Sequence, residues 1–373
     1  MNATQRFLAL DVFRGMTICF MIIVNTPGDH LATFAPLLHA KWHGFTPTDL
    51  VFPSFLFAVG NAMSFAMKKW EHKTTTEVLA KIGKRTLLIF LLGYLMYWFP
   101  FVTVTDGHWS LLPISQTRIL GVLQRIALCY GAASLMIYFL KPKLTIIISI
   151  GLLLLYWGLC FWFGDPFDPL SVQGNAGFRF DHWLMGDAHM YHGQGVAFDP
   201  EGWLSTLPAI VNVVAGYIAG EFIQQKGKTY EGITKLILAG FALLVIAYFW
   251  NYLFPINKKL WTSSFVLHTV GLDCMLLGGI IFIVDMQKRV KWTGFFEVFG
   301  KNPLFIYLLS EILSIILYLI NVGPDTSLYQ WIYLNIFSYA GNYWASLLFA
   351  VSFMLVCWSV GYWLDKRKIY VRV

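Results

Sequence analysis

Apolar runs of bilayer-crossing length alternate along this chain with short polar or irregular segments. A helical crossing needs about 20 apolar residues. Ten runs meet that need: 8–26, 49–67, 86–101, 117–140, 143–163, 203–223, 233–254, 261–284, 303–321 and 343–364. Pro27, Gly28, Pro36 and Pro47 predict irregular backbone after the first run. The longest polar segment is 164–202. Residues 325–340 read as an interfacial helix, since an eleventh span would reverse the C-terminal end. The pattern predicts an all-α integral membrane protein, a single bundle of about ten transmembrane helices. With no internal repeat and no low-complexity linker, one polytopic membrane domain is expected over 1–373, with outer loops at about 27–48 and 164–202.

Composition strengthens that reading. The chain is 57% hydrophobic and only 13% charged, against about 25% charged in soluble domains. Mean hydropathy is +0.62, and the 15 Trp suit belts at two interfaces. The first run keeps Asp11 and Arg14 and reads as a retained helix rather than a cleaved signal. The five cysteines all fall in apolar runs without metal spacing, so neither a disulfide framework nor a metal site is expected.

Charge then orients the bundle. With the N-terminus inside, twenty Lys and Arg fall on inner segments, Arg6 and Arg372 among them. Only Lys41, Arg179, Lys258 and Lys259 fall outside. The positive-inside rule then places both termini in the cytoplasm. The net charge of +7 is explained by this topology and does not point to nucleic acid.

Candidate chemistry lies mostly outside. His30, His39 and His43 crowd the first outer loop with Lys41, Trp42 and Asp49. Histidine changes protonation near neutral pH, which suits a base or nucleophile. Asp49 stands where it could cap the second helix or orient a histidine. Asp11 and Arg14, three apart on one helix face, could pair or meet a ligand. Arg118 and Arg125, seven apart, are expected to share a helix face, with Asp11, Asp49, Asp273 or Glu311 as partners. On the inner side, Lys84 and Arg85 stand at the third helix. Lys301 and Asn302 open the helix at Pro303, where free amides could hold a phosphate. The acidic, aromatic loop 164–202 suits an amino sugar.

Three stretches carry a family resemblance: Leu-Asp-Val-Phe-Arg-Gly with Val-Asn (10–15, 24–25), His-Ala-Lys-Trp-His-Gly-Phe-Thr-Pro-Thr-Asp-Leu-Val-Phe-Pro-Ser-Phe-Leu-Phe (39–57), and Thr-Arg-Ile-Leu-Gly-Val-Leu-Gln-Arg-Ile-Ala (117–127). Phe-Asp-Pro-Glu-Gly-Trp-Leu (198–204) adds a fourth. Together they resemble the heparan-alpha-glucosaminide N-acetyltransferase family, membrane enzymes that pass acetyl from acetyl-CoA to an amino sugar across the bilayer. The resemblance implies His39 as the catalytic histidine, with Asn25 beside it.

The expected function is therefore a transmembrane acetyltransferase. It takes acetyl-CoA as co-substrate from the cytoplasm and acetylates a periplasmic glucosamine-type amine, in a bacterial inner membrane. His39 serves as base or acetyl carrier, and Asn25 steadies the oxyanion. Asp49, Asp11 and Arg14 orient the site. Lys84, Arg85, Arg118, Arg125, Lys301 and Asn302 are the candidates for the CoA moiety; Trp42, Asp199 and Glu201 are those for the acceptor. No metal is expected, and a homodimer is expected from the resemblance. An amino-sugar transporter, or an O-acyltransferase of surface polysaccharide, are the competing readings.

Overall fold

Each of the ten apolar runs falls on a helix in the computed structural model, which describes residues 7–70, 72–105 and 108–371. The helices are α1 (Leu8–Asn25), α2 (Pro47–Ala66), α3 (Thr75–Trp98), α4 (Val122–Phe139), α5 (Pro142–Phe163), α6 (Ala176–Met185), α7 (Trp203–Lys226), α8 (Tyr230–Trp250), α9 (Ser263–Ile280), α10 (Thr293–Lys301), α11 (Pro303–Leu319), α12 (Leu328–Ile332) and α13 (Asn342–Lys366). Sheet among the described residues is confined to two small hairpins, Val102–Thr105 with His108–Leu111 and Asn321–Gly323 with Thr326–Ser327.

This is an all-α, multi-pass membrane protein. Among the described residues eight helices are long and apolar enough to cross a membrane, and nine spans result if α10 and α11, bent by 84°, count as one. The expected ten is reduced chiefly at α3. Its first turns carry Lys81, Lys84 and Arg85, and only its second half is continuously apolar. Exposed Leu87, Leu91 and Leu95 repeat every fourth residue there and form one apolar stripe.

Two further expectations change. The fourth helix starts at Val122 rather than at 117, because residues 117–121 are extended up to Gly121. Residues 325–340 begin as a hairpin strand and continue through the five-residue α12 into a π-helical turn at Tyr333–Phe337.

Burial sorts the bundle. The α2 and α7 spans are 72% and 67% buried, whereas α5 and α8 are each 28% buried. The first pair forms the centre and the second faces outward. A Cβ on Gly60 would strike the Val213 carbonyl, and one on Gly216 would strike that of Phe57. The absence of side chains at both positions is what lets the two central helices touch backbone to backbone.

The connections gather at two opposite ends. At one end, Gly28 N donates to Ser346 O, Gly44 N to Ile256 O and Ile119 N to His189 O. At the other, Lys228 pairs with Asp285 at 2.7 Å, Lys301 with Asp365 at 2.9 Å, and Arg14 Nε donates to Gly300 O. The second end holds most of the Lys and Arg and both ends of the described chain. Arg6 and Arg372, counted with that side from sequence, lie outside the described residues.

Candidate active site

The site is built on the first turn of α2. Thr46 is the N-cap, Pro47 occupies the first turn, where a missing N–H costs nothing, and Asp49 is the third residue. Asp49 Oδ2 accepts from Thr46 N at 3.0 Å, Thr46 Oγ1 at 3.1 Å and Ala40 N at 3.1 Å. Its Oδ1 receives His39 Nδ1 at 2.7 Å. The same carboxylate thus caps the helix and orients the histidine; the two roles weighed from sequence are both present. Asp49 is 1% exposed, so Nδ1 keeps the proton and Nε2 keeps its lone pair.

The loop that carries His39 is clamped by the other connections at this end. Trp42 Nε1 donates to Leu170 O at 2.9 Å, Lys259 Nζ donates to Lys41 O at 2.7 Å, and Tyr329 hydroxyl donates to Pro27 O at 2.9 Å. Trp42, expected to meet an acceptor, uses its N–H to join the two outer loops. Its ring meets Phe198 edge-on.

His39 and Asn25 line one cavity of ≈ 150 Å³, together with Val51, Phe52, Val122, Glu201 and Lys258. Asn25 Nδ2 lies 3.4 Å from Glu311 Oε1. Lys258 Nζ is 3.1 Å from His39 Nδ1 and 3.2 Å from Nε2. Burial holds the imidazole below its ordinary pKa and the Lys258 charge adds to this, against the hydrogen bond to Asp49. The ring is therefore neutral over a wider range of pH than a free histidine.

A second cavity of ≈ 520 Å³ opens at the basic end. Arg14, Arg85 and Lys301 supply its cations, with Asp11, Tyr130 and Tyr370 beside them. The Arg85 guanidinium rests on the Tyr130 ring, 4.7 Å from its centroid, and its buried Nε has no hydrogen-bond partner. The two cavities follow one another along the same helices. On α2, Val51 and Phe52 line the first and Phe55 and Val59 the second; on α4, Val122 lines the first and Leu123 and Ile126 the second. Their nearest lining residues are adjacent on α4, three apart on α2 and seven apart on α1, so the step between them is at most about two helical turns.

Several sequence-derived candidates sit elsewhere. Asp11 and Arg14 form a 2.7 Å pair in the basic cavity. They lie fourteen and eleven positions before Asn25 on α1, so they do not orient His39. Arg118 is not on a helix face with Arg125. It lies before α4, donates to Asp199 Oδ2 at 2.9 Å and Oδ1 at 2.6 Å, and to Glu201 Oε2 at 2.7 Å. None of the four expected carboxylates is its hydrogen-bond partner. Arg125 is fully buried, donates to Gly202 O and to the Ser205 hydroxyl, and stacks on Trp261. Neither arginine lines the basic cavity.

Asn302 is also committed, donating to Ile369 O and accepting from Val371 N. Lys84 is exposed and outside the cavity lining. Asp199 has a fully covered side chain, whereas Glu201 reaches the His39 cavity. Lys258 was visible in sequence only as one of four cations on the outer side. Tyr130 and Tyr370 carried no signal at all.

Comparison with known proteins adds the decisive observation. A family model described as a domain of unknown function (DUF5009) matches residues 6–157. The heparan-alpha-glucosaminide N-acetyltransferase of Homo sapiens is 27% identical over 370 residues, covering 82% of this chain and 53% of that protein. The chain resembles the heparan-alpha-glucosaminide N-acetyltransferases. The Mus musculus protein of that name is 27% identical over 372 residues, with 84% and 54% covered. The resemblance read from the motifs is thereby borne out over most of the chain. This chain spans about half the length of the curated relatives it matches. The DUF5009 match contains Asn25, His39 and Asp49; Glu201 and Lys258 lie beyond it.

Proposed function

We propose that the protein transfers acetyl from acetyl-CoA, bound at the basic end, to the amine of a glucosamine-type sugar at the His39 end. The basic end is cytoplasmic and the His39 end periplasmic, as in a bacterial inner membrane. One observation carries the reading: a basic cavity and a histidine cavity share α1, α2 and α4 and lie within about two helical turns of each other.

The residues of the basic cavity fit such a donor. Arg85 suits phosphate oxygens, its partnerless Nε offering a donor, and Arg14 and Lys301 stand beside it in ion pairs with Asp11 and Asp365. The apolar lining of Phe55, Val59, Leu123 and Ile126 suits the pantetheine arm. Lys84, Arg118, Arg125 and Asn302 drop out of the donor set because none of them lines the basic cavity. Glu201, at the His39 cavity, remains the carboxylate placed to receive an acceptor ammonium.

Acyl transfer follows from the local geometry. Nε2 attacks the thioester carbon while Nδ1–H stays on Asp49. Asn25 donates its amide to the developing oxyanion. The thiolate leaves toward the basic cavity, and the sugar amine then takes the acetyl group. The Nε2 lone pair facing this cavity supports His39 as acetyl carrier; labelled acetyl-CoA supplied alone should then leave an acetyl-enzyme, whereas a base-only His39 would leave none.

Proteoliposomes test this directly. Labelled acetyl-CoA supplied at the Arg85 face should acetylate glucosamine held on the other side. Glucosamine uptake without acetyl-CoA would instead favour transport. Arg85→Gln should raise the KM for acetyl-CoA by about tenfold, the worth of one charge-assisted hydrogen bond, with kcat little changed. An unaltered KM would remove Arg85 from the donor site.

A further inference from the structure

The position of Lys258 over His39 has a chemical consequence of its own. Its Nζ is almost equidistant from the two ring nitrogens, at 3.1 and 3.2 Å. A point in the ring plane at those distances would overlap ring carbons, so the amine stands over the face. In the plane, Nδ1–H points at Asp49 Oδ1, and Lys258 leaves the in-plane lone pair of Nε2 uncovered.

An acetyl group on Nε2 lies close to the ring plane, because its carbonyl conjugates with the ring as an amide does. A nucleophile reaches the acyl carbon from above or below that plane. Any acceptor amine must therefore approach over a face of His39, and Lys258 already holds an amine there. Nζ stands 3.2 Å from Nε2, the atom that would carry the acyl carbon, so a small swing of the lysine side chain brings the amine over that carbon.

We propose that Lys258 is a self-acetylation site: with no acceptor sugar present, its ε-amine takes the acetyl group from His39. This rests on the transferase reading and its carrier route. The Nζ lone pair forms the new C–N bond, the C–Nε2 bond breaks, and Nε2 keeps that electron pair. The proton shed by the amine passes to solvent. The net change converts an acetyl thioester and an amine into a thiol and an amide, with no redox partner.

Two observations single out this lysine. Burial holds the Lys258 ammonium below its ordinary pKa, against the pull of the Asp49 and Glu201 carboxylates, which raises the neutral fraction an attack requires. Lys259, the adjacent lysine, is turned away, donating to Lys41 O and Gln194 Oε1 at 2.7 Å each. Acetylation at Lys258 would remove the cation and leave an amide on the face an acceptor uses. Donor without acceptor then inactivates the protein.

The test is mass spectrometry on the purified full-length protein incubated with isotope-labelled acetyl-CoA, with and without glucosamine. Labelled acetyl is expected at Lys258 at about tenfold or more the occupancy at Lys259, a modest demand on proximity. Glucosamine should lower it and His39→Ala should abolish it. Preincubation with acetyl-CoA alone should reduce later transfer by the wild type, while Lys258→Arg, whatever its starting rate, should lose nothing. Equal labelling of Lys258 and Lys259, or labelling that persists in His39→Ala, overturns the proposal. Glucosamine acetylation with unlabelled Lys258 overturns it and spares the transferase reading. Absence of any glucosamine acetylation by the wild type overturns that reading itself.

Discussion

Asp49→Asn is expected to lower acetyl transfer by about 10²- to 10⁴-fold, as wrong-tautomer substitutions do in histidine-based sites. Asp49 Oδ2 accepts from Ala40 N, Thr46 N and Thr46 Oγ1. An asparagine would keep its carbonyl oxygen on those donors, since its amino group would repel them. The amino group would then face His39 Nδ1 and require Nδ1 to accept. That forces the proton onto Nε2, the atom that must attack. The helix cap survives, so Tm should change little while kcat collapses. His39→Ala should lose about as much, and the double variant no more, because the pair acts as a unit. Steady-state transfer to glucosamine, with Tm measured on the same preparations, checks this. Near-normal transfer by Asp49→Asn would mean that the carboxylate is a cap and nothing else, and an active His39→Ala would remove the proposed reaction altogether.

The largest effect on stability is expected at Arg118. Its guanidinium holds both oxygens of Asp199 and one of Glu201, and lies over the rings of Tyr97 and Tyr191. The Asp199 side chain has no exposure at all. Arg118→Ala leaves two carboxylates facing each other beneath the outer loops. Removing one partner of a buried pair costs about 3–5 kcal/mol. Thermal unfolding in detergent should show a large fall in Tm, and Arg118→Lys should recover only part of it, lacking the planar fork. An Arg118→Ala protein with wild-type Tm would show that the network is solvated and not structural. Glu201 also lines the His39 cavity, so loss of Arg118 should depress transfer even where folded protein is recovered.

The core of the site was legible because its parts are close in sequence. His39, Thr46 and Asp49 fall within eleven residues, and a Thr-Pro-Thr-Asp start is a local helix signal. Once the cap is built, Asp49 lies within reach of both Ala40 N and His39 Nδ1. Asn25 was legible too, at the end of the first apolar run. Arg118 was not. Helical periodicity placed it on a face with Arg125, but the chain is extended up to Gly121, where a Cβ would run into Tyr97. Its carboxylate partners lie 81 and 83 positions away, and no local pattern encodes such a pairing. Asn302 and Arg125 misled because residue type suggested a ligand while neither lines the basic cavity: Asn302 is tied to Ile369 O and Val371 N, and Arg125 is buried against Gly202 and Ser205.

Hydropathy by itself determined that this chain spans a membrane many times as helices, because apolar length and charge placement are properties of segments. The motif around His39, through its family resemblance, pointed to the loop that carries the proposed reactive histidine. Only the tertiary structure decided which cations are available to a ligand, since an arginine is free or spent according to what folds against it. It alone set Lys258 over the face of His39, because the two lie 219 residues apart and meet only when α8 and α9 carry their connecting loop back over the start of α2.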